Sequence, residues 1–225
     1  MKRSRINRCI REAIDFMDEC RFALPPFAFW TPQQWKARGH ECDEIRRNGL
    51  GWDVTDFGLG DFENKGLVLF TLRNGSPDHP EDKPYCEKIM VCRPEQLCVL
   101  HFHWSKVEDI INRAGADLVL RLYDSDEDEQ VDRESPVTVS LDGVETEVPA
   151  GERVVLENGR SITLRRGMYH EFWAEGGSVL IGEVSAVNDD DTDNRFAREL
   201  ARYTQIEEDE PPQYYLCNEY PPARD

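Results

Sequence analysis

The chain has 225 residues with 45 acidic against 27 basic side chains, a formal net charge of -18 and a pI near 4.7. Such a surface repels polyphosphate backbones and anionic membranes, which excludes nucleic acid as a partner. The length suits one β-rich domain with an appendage, and 39% hydrophobic residues with 10% aromatics supply a core despite a mean hydropathy of -0.65, excluding global disorder.

The basic start Met1-Lys2-Arg3-Ser4-Arg5 is followed by Arg8, Arg11, Glu12, Asp15, Asp18 and Glu19 rather than by an apolar leader, and no apolar run approaches the ~18 residues of a membrane span, so a cytoplasmic protein is expected. From Ser4 to about Phe22, Ile6, Cys9, Ile10, Ala13, Ile14, Met17 and Cys20 follow the three-four spacing of an amphipathic helix, with Ser4 as its cap. Pro25-Pro26 stops it. A second start follows, with Thr31 as N-cap, Pro32 at the first helical position, Gln34 closing a capping box and Trp35 on the buried side. This short helix is expected to run to Gly39, with an irregular turn from Cys42 to Gly49. Residues 1–50 are thus expected to form a helical extension packed on a barrel domain of residues 51–225.

From Trp52 onward, short β-branched, aromatic and leucine runs are broken by Gly, Asp, Asn and Pro at the rhythm of antiparallel sheet. Candidate strands cover 66–73, 85–92, 97–104, 117–123, 137–141, 144–148, 153–156, 161–164, 170–174 and 178–187. Asp142-Gly143 signals a tight hairpin, since both turn positions must tolerate positive φ. The acidic run 124–134 reads as a solvated loop, lacking the Gly-centred spacing of a calcium loop. The seven cysteines are odd in number and form no Cys-x-x-Cys pair, as reduced, packed thiols would be. The pattern predicts an all-β dominated sandwich or barrel behind a helical preface.

Chemistry concentrates around three histidines. His101 and His103 stand two apart in one strand and share a face, while Phe102 points to the other. Glu108 follows where the chain can turn back, and His170 comes later; such a set is better explained by a metal than by core histidines. The spacings carry a resemblance: His101-x-His103-x4-Glu108-x6-Gly115 resembles the first metal-binding motif of the cupins, and Gly159-x5-Arg165-x-Gly167-x2-His170 resembles the second, with Arg165 where Pro is usual and Ala174 where Asn is usual. The resemblance implies a cupin jelly-roll β-barrel with one divalent metal held by His101, His103, Glu108 and His170.

A narrower resemblance covers nearly the whole chain. The words from His101 to Arg113, Tyr85-Cys-Glu-Lys-Ile89, Gly182-Glu-Val-Ser-Ala-Val-Asn-Asp-Asp190, Asp193-Asn-Arg-Phe196 and Ile206-Glu-Glu-Asp-Glu-Pro211 resemble bacterial D-lyxose isomerases. That family implies interconversion of D-lyxose with D-xylulose and of D-mannose with D-fructose, a preference for Mn2+, and a homodimer. Zinc, cobalt, iron and nickel also suit such nitrogen and oxygen ligands.

Aldose to ketose conversion through a cis-enediol needs a carboxylate or amine within ~3 Å of C1 and C2. Lys106, between two ligands, and one of Glu207 and Glu208 are read as the catalytic couple, with the metal expected to lower the Lys106 pKa. Lys88 and Glu183, which interrupts an apolar strand, are read as substrate contacts, with Glu183 a reserve base. Asp193 and Arg195 are assigned to distal hydroxyls. Trp104, Tyr169, Phe172 and Trp173 offer apolar faces for a sugar, or core. With Arg165-Arg166 the one basic cluster of the metal-motif strands, a free monosaccharide fits better than a phosphosugar. Two alternatives remain at this level: a cupin dioxygenase using iron, and a non-catalytic sugar-binding cupin. The homodimer is left open, because an amphipathic amino-terminal helix covers a partner as readily as its own sheet.

Overall fold

The computed structural model describes residues 1–79 and 81–224. Helix α1 (Arg3–Glu19) buries Ile6, Cys9, Ile10, Ala13 and Met17 along the expected stripe. Ser4 does not cap it. Its N–H and Oγ–H instead donate to the two carboxylate oxygens of Asp209 at 2.8 and 2.6 Å, so a distant acidic residue serves the helix start. Helix α2 (Pro32–Trp35) has the predicted capping box: Gln34 N–H donates to Thr31 Oγ1 at 3.3 Å and Thr31 N–H to Gln34 Oε1 at 2.8 Å. It ends at Trp35 rather than Gly39, and α3 (Asp43–Arg47) replaces much of the expected irregular turn.

The strands are β1 (Gly51–Thr55), β2 (Leu67–Arg73), β3 (Tyr85–Cys92), β4 (Leu97–Phe102), β5 (Glu108–Ser125), β6 (Val131–Asp132), β7 (Val137–Leu141), β8 (Val144–Val148), β9 (Arg153–Leu156), β10 (Ser161–Leu164), β11 (Tyr169–Ala186) and β12 (Arg195–Phe196). All their pairings are antiparallel. The main order is β1-β2-β3-β11-β5-β10-β7-β8, with β4 beside β11, β12 beside β4, and β6 and β9 beside β5. Strand β1 escapes the sequence pattern because all five of its residues are buried, leaving no alternation to read. The Asp142-Gly143 hairpin joins β7 to β8 with φ of 51° and 83° at its two turn residues.

β5 and β11 are each 18 residues long, where the sequence suggested shorter strands. The glycines read as breaks are bends. Gly115 has φ of 100°, and a Cβ there would lie 2.2 Å from the Ser178 carbonyl oxygen, so only glycine lets the two strands cross this closely. The β5–β11 register shifts between Glu175 and Val179 beside it. Before the bend, β11 lies between β4 and the second half of β5; after it, between β3 and the first half of β5. Both halves therefore contribute inward residues to one interior, where Leu69, Met90, Ile110, Leu120, Phe172 and Ile181 pack together.

The opposite faces of β1, β2, β3 and β11 present Trp52, Val54, Val68, Phe70, Ile89, Val91 and Leu180, and α1 covers them. The apolar side of α1 therefore lies on its own sheet. The tail beyond Tyr203 returns along α1: Arg3, 1% exposed, is held by Glu208 and Glu219, and Leu216 bridges to Trp52. No helix among the described residues is long and apolar enough to cross a membrane.

Replacing Gly115 with Ala is expected to cost about 2 kcal/mol, from the positive φ and the collision with the Ser178 carbonyl. The same change at Gly143, which has positive φ but nothing within 4 Å of the new Cβ, should cost about half as much. Denaturant unfolding of the two variants checks the order.

Candidate active site

His101 on β4 and His170 on β11 are paired across the two strands, so one register places both imidazoles in the interior. His103 follows the end of β4, and Glu108 is the first residue of β5. The three rings have centroids 4.2, 5.1 and 5.7 Å apart, and one ring nitrogen from each lies within 4.8 Å of the others. Each Nδ1 meets a backbone carbonyl, Val99 at 2.7 Å, Asp193 at 2.5 Å and Met168 at 3.1 Å. A carbonyl only accepts, so Nδ1 carries the proton and Nε2 presents a lone pair.

Glu108 Oε1 lies 3.2 Å from His170 Nε2 and 3.5 Å from His103 Nε2, buried and without a hydrogen-bond partner among the described residues. Acceptors facing one another with no donor between them are what a cation requires. Three imidazole nitrogens and one carboxylate oxygen fit a divalent first-row ion. Burial, with the neighbouring imidazoles, holds His101 well below its ordinary pKa, and burial with Lys106 holds His103 at about 3. Burial opposes the charge on Glu108, yet the Lys106 ammonium keeps its carboxyl well below the usual range.

A second polar row adjoins the first and alternates in sign. Lys106 Nζ is 2.8 Å from both Glu108 Oε2 and Glu183 Oε1. Glu183 sits directly opposite Lys88 in the β11–β3 pair, with Lys88 Nζ 3.4 Å from Glu183 Oε1 and 4.0 Å from Asp190 Oδ1. Arg202 then bridges Asp190 at 3.1 Å and Asp53 at 2.7 Å. His101, His103, His170, Glu108, Lys106, Glu183, Lys88, Asp190 and Arg202 all line one cavity, closed on its apolar side by Phe57, Phe172 and Phe196. At Lys106 burial lowers the ammonium's pKa, but the carboxylates of Glu108 and Glu183 outweigh burial and raise it.

Other expected residues are placed elsewhere. Glu207 and Glu208 are exposed and attached to the start of α1, Glu207 in a bridge with Lys2 and Glu208 accepting from Arg3 Nε at 3.0 Å and Nη2 at 2.7 Å. Neither reaches the cavity, because the tail's negative charge is matched to a buried arginine and a helix start. Asp193 accepts from the N–H groups of Ser105 at 2.7 Å and Lys106 at 3.0 Å, so its carboxylate holds the ligand loop rather than a sugar hydroxyl. Arg195 lies opposite Phe102 and reaches Glu129, whereas its neighbour Phe196 lies opposite His101 and faces the cavity; strand alternation sends Arg195 outward. Trp104, 43% exposed, and Tyr169 pack on Phe102 outside the cavity, and Trp173 lies under Arg121; only Phe172 of the four aromatics lines it. Asp190, Asn194 and Arg202 also line the cavity and carry no signal in the sequence that marks them. Asp190 is hidden in an acidic run that resembles solvated surface, and an isolated Arg202 carries no periodic signal.

Two measurements test this arrangement. Adding Mn2+ is expected to raise the melting temperature of the wild-type chain, a chelator to reverse it, and His103→Ala to lose the shift. Burial opposes the Asp190 charge, but Arg202 and Lys88 hold its carboxyl far below the usual range. A depressed carboxyl stabilises the fold fully above its unfolded value of ~3.9 and loses that contribution as pH falls. The stability difference between wild type and Asp190→Asn should therefore be largest at neutral pH and shrink below about pH 4.

The D-lyxose isomerase family matches residues 1–220 of the chain. The D-lyxose/D-mannose isomerases of Serratia proteamaculans and Escherichia coli O157:H7 are each 49% identical to it over 224 residues, 98% of this chain and 98% of each relative. The L-ribose isomerase of Acinetobacter sp. DL28, solved in complex with L-ribose, superposes with a TM-score of 0.60 over 92% of this chain and 98% of its own, at 15% identity. That likeness bears out the all-β dominated, cupin-type barrel. With a match over this span and relatives at this identity, the chain belongs to the D-lyxose isomerase family.

Proposed function

We propose that this aldose-ketose isomerase interconverts D-lyxose with D-xylulose and D-mannose with D-fructose, with Glu183 as the proton-transfer base. The observation that carries the assignment is the position of Glu183: a buried carboxylate in the same cavity as the imidazoles, fixed through one oxygen. Its Oε1 faces Lys106 and Lys88, while Oε2 takes no hydrogen bond among the described residues and is free to meet a substrate.

His101, His103, Glu108 and His170 would hold the ion, for which the family resemblance of the sequence favours manganese. When bound, it supplies Lewis-acid polarisation and a template for the O1/O2 edge of the sugar. Glu183 Oε2 takes the C2 proton and returns it to C1, and the O2 proton passes to O1, so that an aldose becomes a ketose. All three Lys106 N–H bonds have protein acceptors, Glu108, Glu183 and Asn188, which suits orienting the carboxylates better than carrying the proton. Lys88 keeps a donor for a substrate oxygen, its contact to Asp190 being too long for a hydrogen bond. Asp190, Asn194 and Arg202 supply polar groups for distal hydroxyls. Every cation on the cavity wall already faces a carboxylate, which favours a free monosaccharide over a phosphorylated one.

The dioxygenase and sugar-sensor alternatives give no role to a buried carboxylate set between two lysines. The homodimer remains part of the proposal on the strength of the sequence resemblance, and would use a surface other than the apolar side of α1.

Protein loaded with Mn2+ and incubated with D-lyxose or D-mannose in D2O should yield ketose carrying deuterium at C1, read by NMR. Glu183→Gln should lower kcat by about 10^2- to 10^4-fold with Mn2+ uptake unchanged. Turnover near wild type in that variant would overturn the base assignment, and no turnover of either sugar by the wild type would overturn the substrate assignment.

A further inference from the structure

Beyond the groups that touch a sugar, a buried column of asparagines runs from the helical layer to the lysines. Asn48 and Asn74 are each 5% exposed. Asn48 Nδ2 donates to the Asn74 carbonyl at 2.9 Å, and Asn74 Nδ2 donates to the Asn48 carbonyl at 3.3 Å. The Asn74 side chain then clasps the backbone of residue 188 as a strand neighbour would: Asn188 N–H donates to Asn74 Oδ1 at 3.0 Å, and Asn74 Nδ2 to the Asn188 carbonyl at 2.9 Å. Asn188 Oδ1 in turn accepts from Lys88 Nζ at 2.6 Å and from Lys106 Nζ at 3.3 Å.

Two ammoniums have only donors, so the atom facing both is the amide oxygen. A neutral acceptor suits this place. A carboxylate would compete with Glu183 for both lysines, and an apolar side chain would leave Lys106 a buried N–H without an acceptor. We propose that Asn188, held in place by Asn74 and through it by Asn48, is a positioning residue that sets the two lysines around Glu183 Oε1 and so fixes where Oε2 points. The column ties the rate of the reaction to the docking of the helical layer on the barrel. This inference rests on the assignment of Glu183 as the base.

Asn188→Ala removes the acceptor and leaves both backbone bonds to Asn74, so the fold should persist. With the Mn2+-loaded enzyme and D-lyxose, kcat is expected to fall by about 10- to 100-fold, the cost of a small misplacement of a reacting group. KM and Mn2+ content should stay near wild type, while the melting temperature should drop by about 2 to 8 °C because Lys106 loses a buried acceptor. Added to Glu183→Gln, Asn188→Ala should cause no further loss, because both act at one step. Asn74→Ser, which touches no cavity group, should reproduce part of the kcat loss. An unchanged kcat, a raised KM with kcat retained, loss of Mn2+, or full additivity with Glu183→Gln would each overturn the proposal. Failure of the base assignment is read separately, as an active Glu183→Gln; failure of the positioning role leaves Glu183→Gln inactive and Asn188→Ala at the wild-type rate.

Discussion

The Lys106 ammonium, buried between the carboxylates of Glu108 and Glu183, joins the metal-type cluster to the row of groups read as acid-base machinery. None of the three would be tolerated there alone, since an unpaired charge in an apolar interior costs several kcal/mol. Together they define the site: Glu108 turns one oxygen to the lysine and leaves the other to the imidazoles, and Glu183 turns one oxygen to the lysines and leaves the other to the cavity. The alternation continues through Lys88, Asp190 and Arg202 to Asp53, so each charge is partnered on both sides. Such a row is rigid because moving one member exposes two others.

This row depends on the bent strands. Glu108 opens β5 and Glu183 lies near the end of β11, 75 positions later by number, yet the β5–β11 pairing brings those two strand ends together with Ser185 opposite Glu108. His170 is at the other end of β11 and reaches the same interior only because β11 continues through the bend beside Gly115. One pair of long strands therefore carries both halves of the site, and the loop between β4 and β5 is secured by Asp193 from the opposite side. The helical layer and the returning tail shield the outer face of the same sheet, with Arg3 as the joint between them.

Local signals were sufficient wherever the chemistry is local. The Thr31/Gln34 capping box, the Asp142-Gly143 hairpin and strands such as β3, β7, β8, β9 and β10 need only their own residues, and they stand where periodicity and turn chemistry put them. The three histidines were equally legible, because alternation in a strand fixes their facing. Signals failed where neighbours from afar decide. Gly115 and Gly176-Gly177 look like strand ends and are bends; Ser4 looks like a cap and is served by Asp209; Asp193 reads as a contact for a distal sugar hydroxyl and holds the ligand loop. Glu207 and Glu208 look like acid-base candidates, but Glu208 pairs with Arg3 and Glu207 bridges Lys2 through the backbone, some two hundred positions away.

The sequence by itself determined the strand pattern, the amphipathic helix, the imidazole cluster with its carboxylate, and the family, since each is written in spacings along one segment or in whole-chain similarity. Only the tertiary structure decided which carboxylate stands beside the lysines, that Arg195 faces outward and Phe196 inward, and that Asp190, Asn194 and Arg202 belong to the cavity. The reason is physical: a side chain's charge state and direction follow from the groups packed against it, and those come from strands and loops that meet only when the long bent pair has closed the barrel.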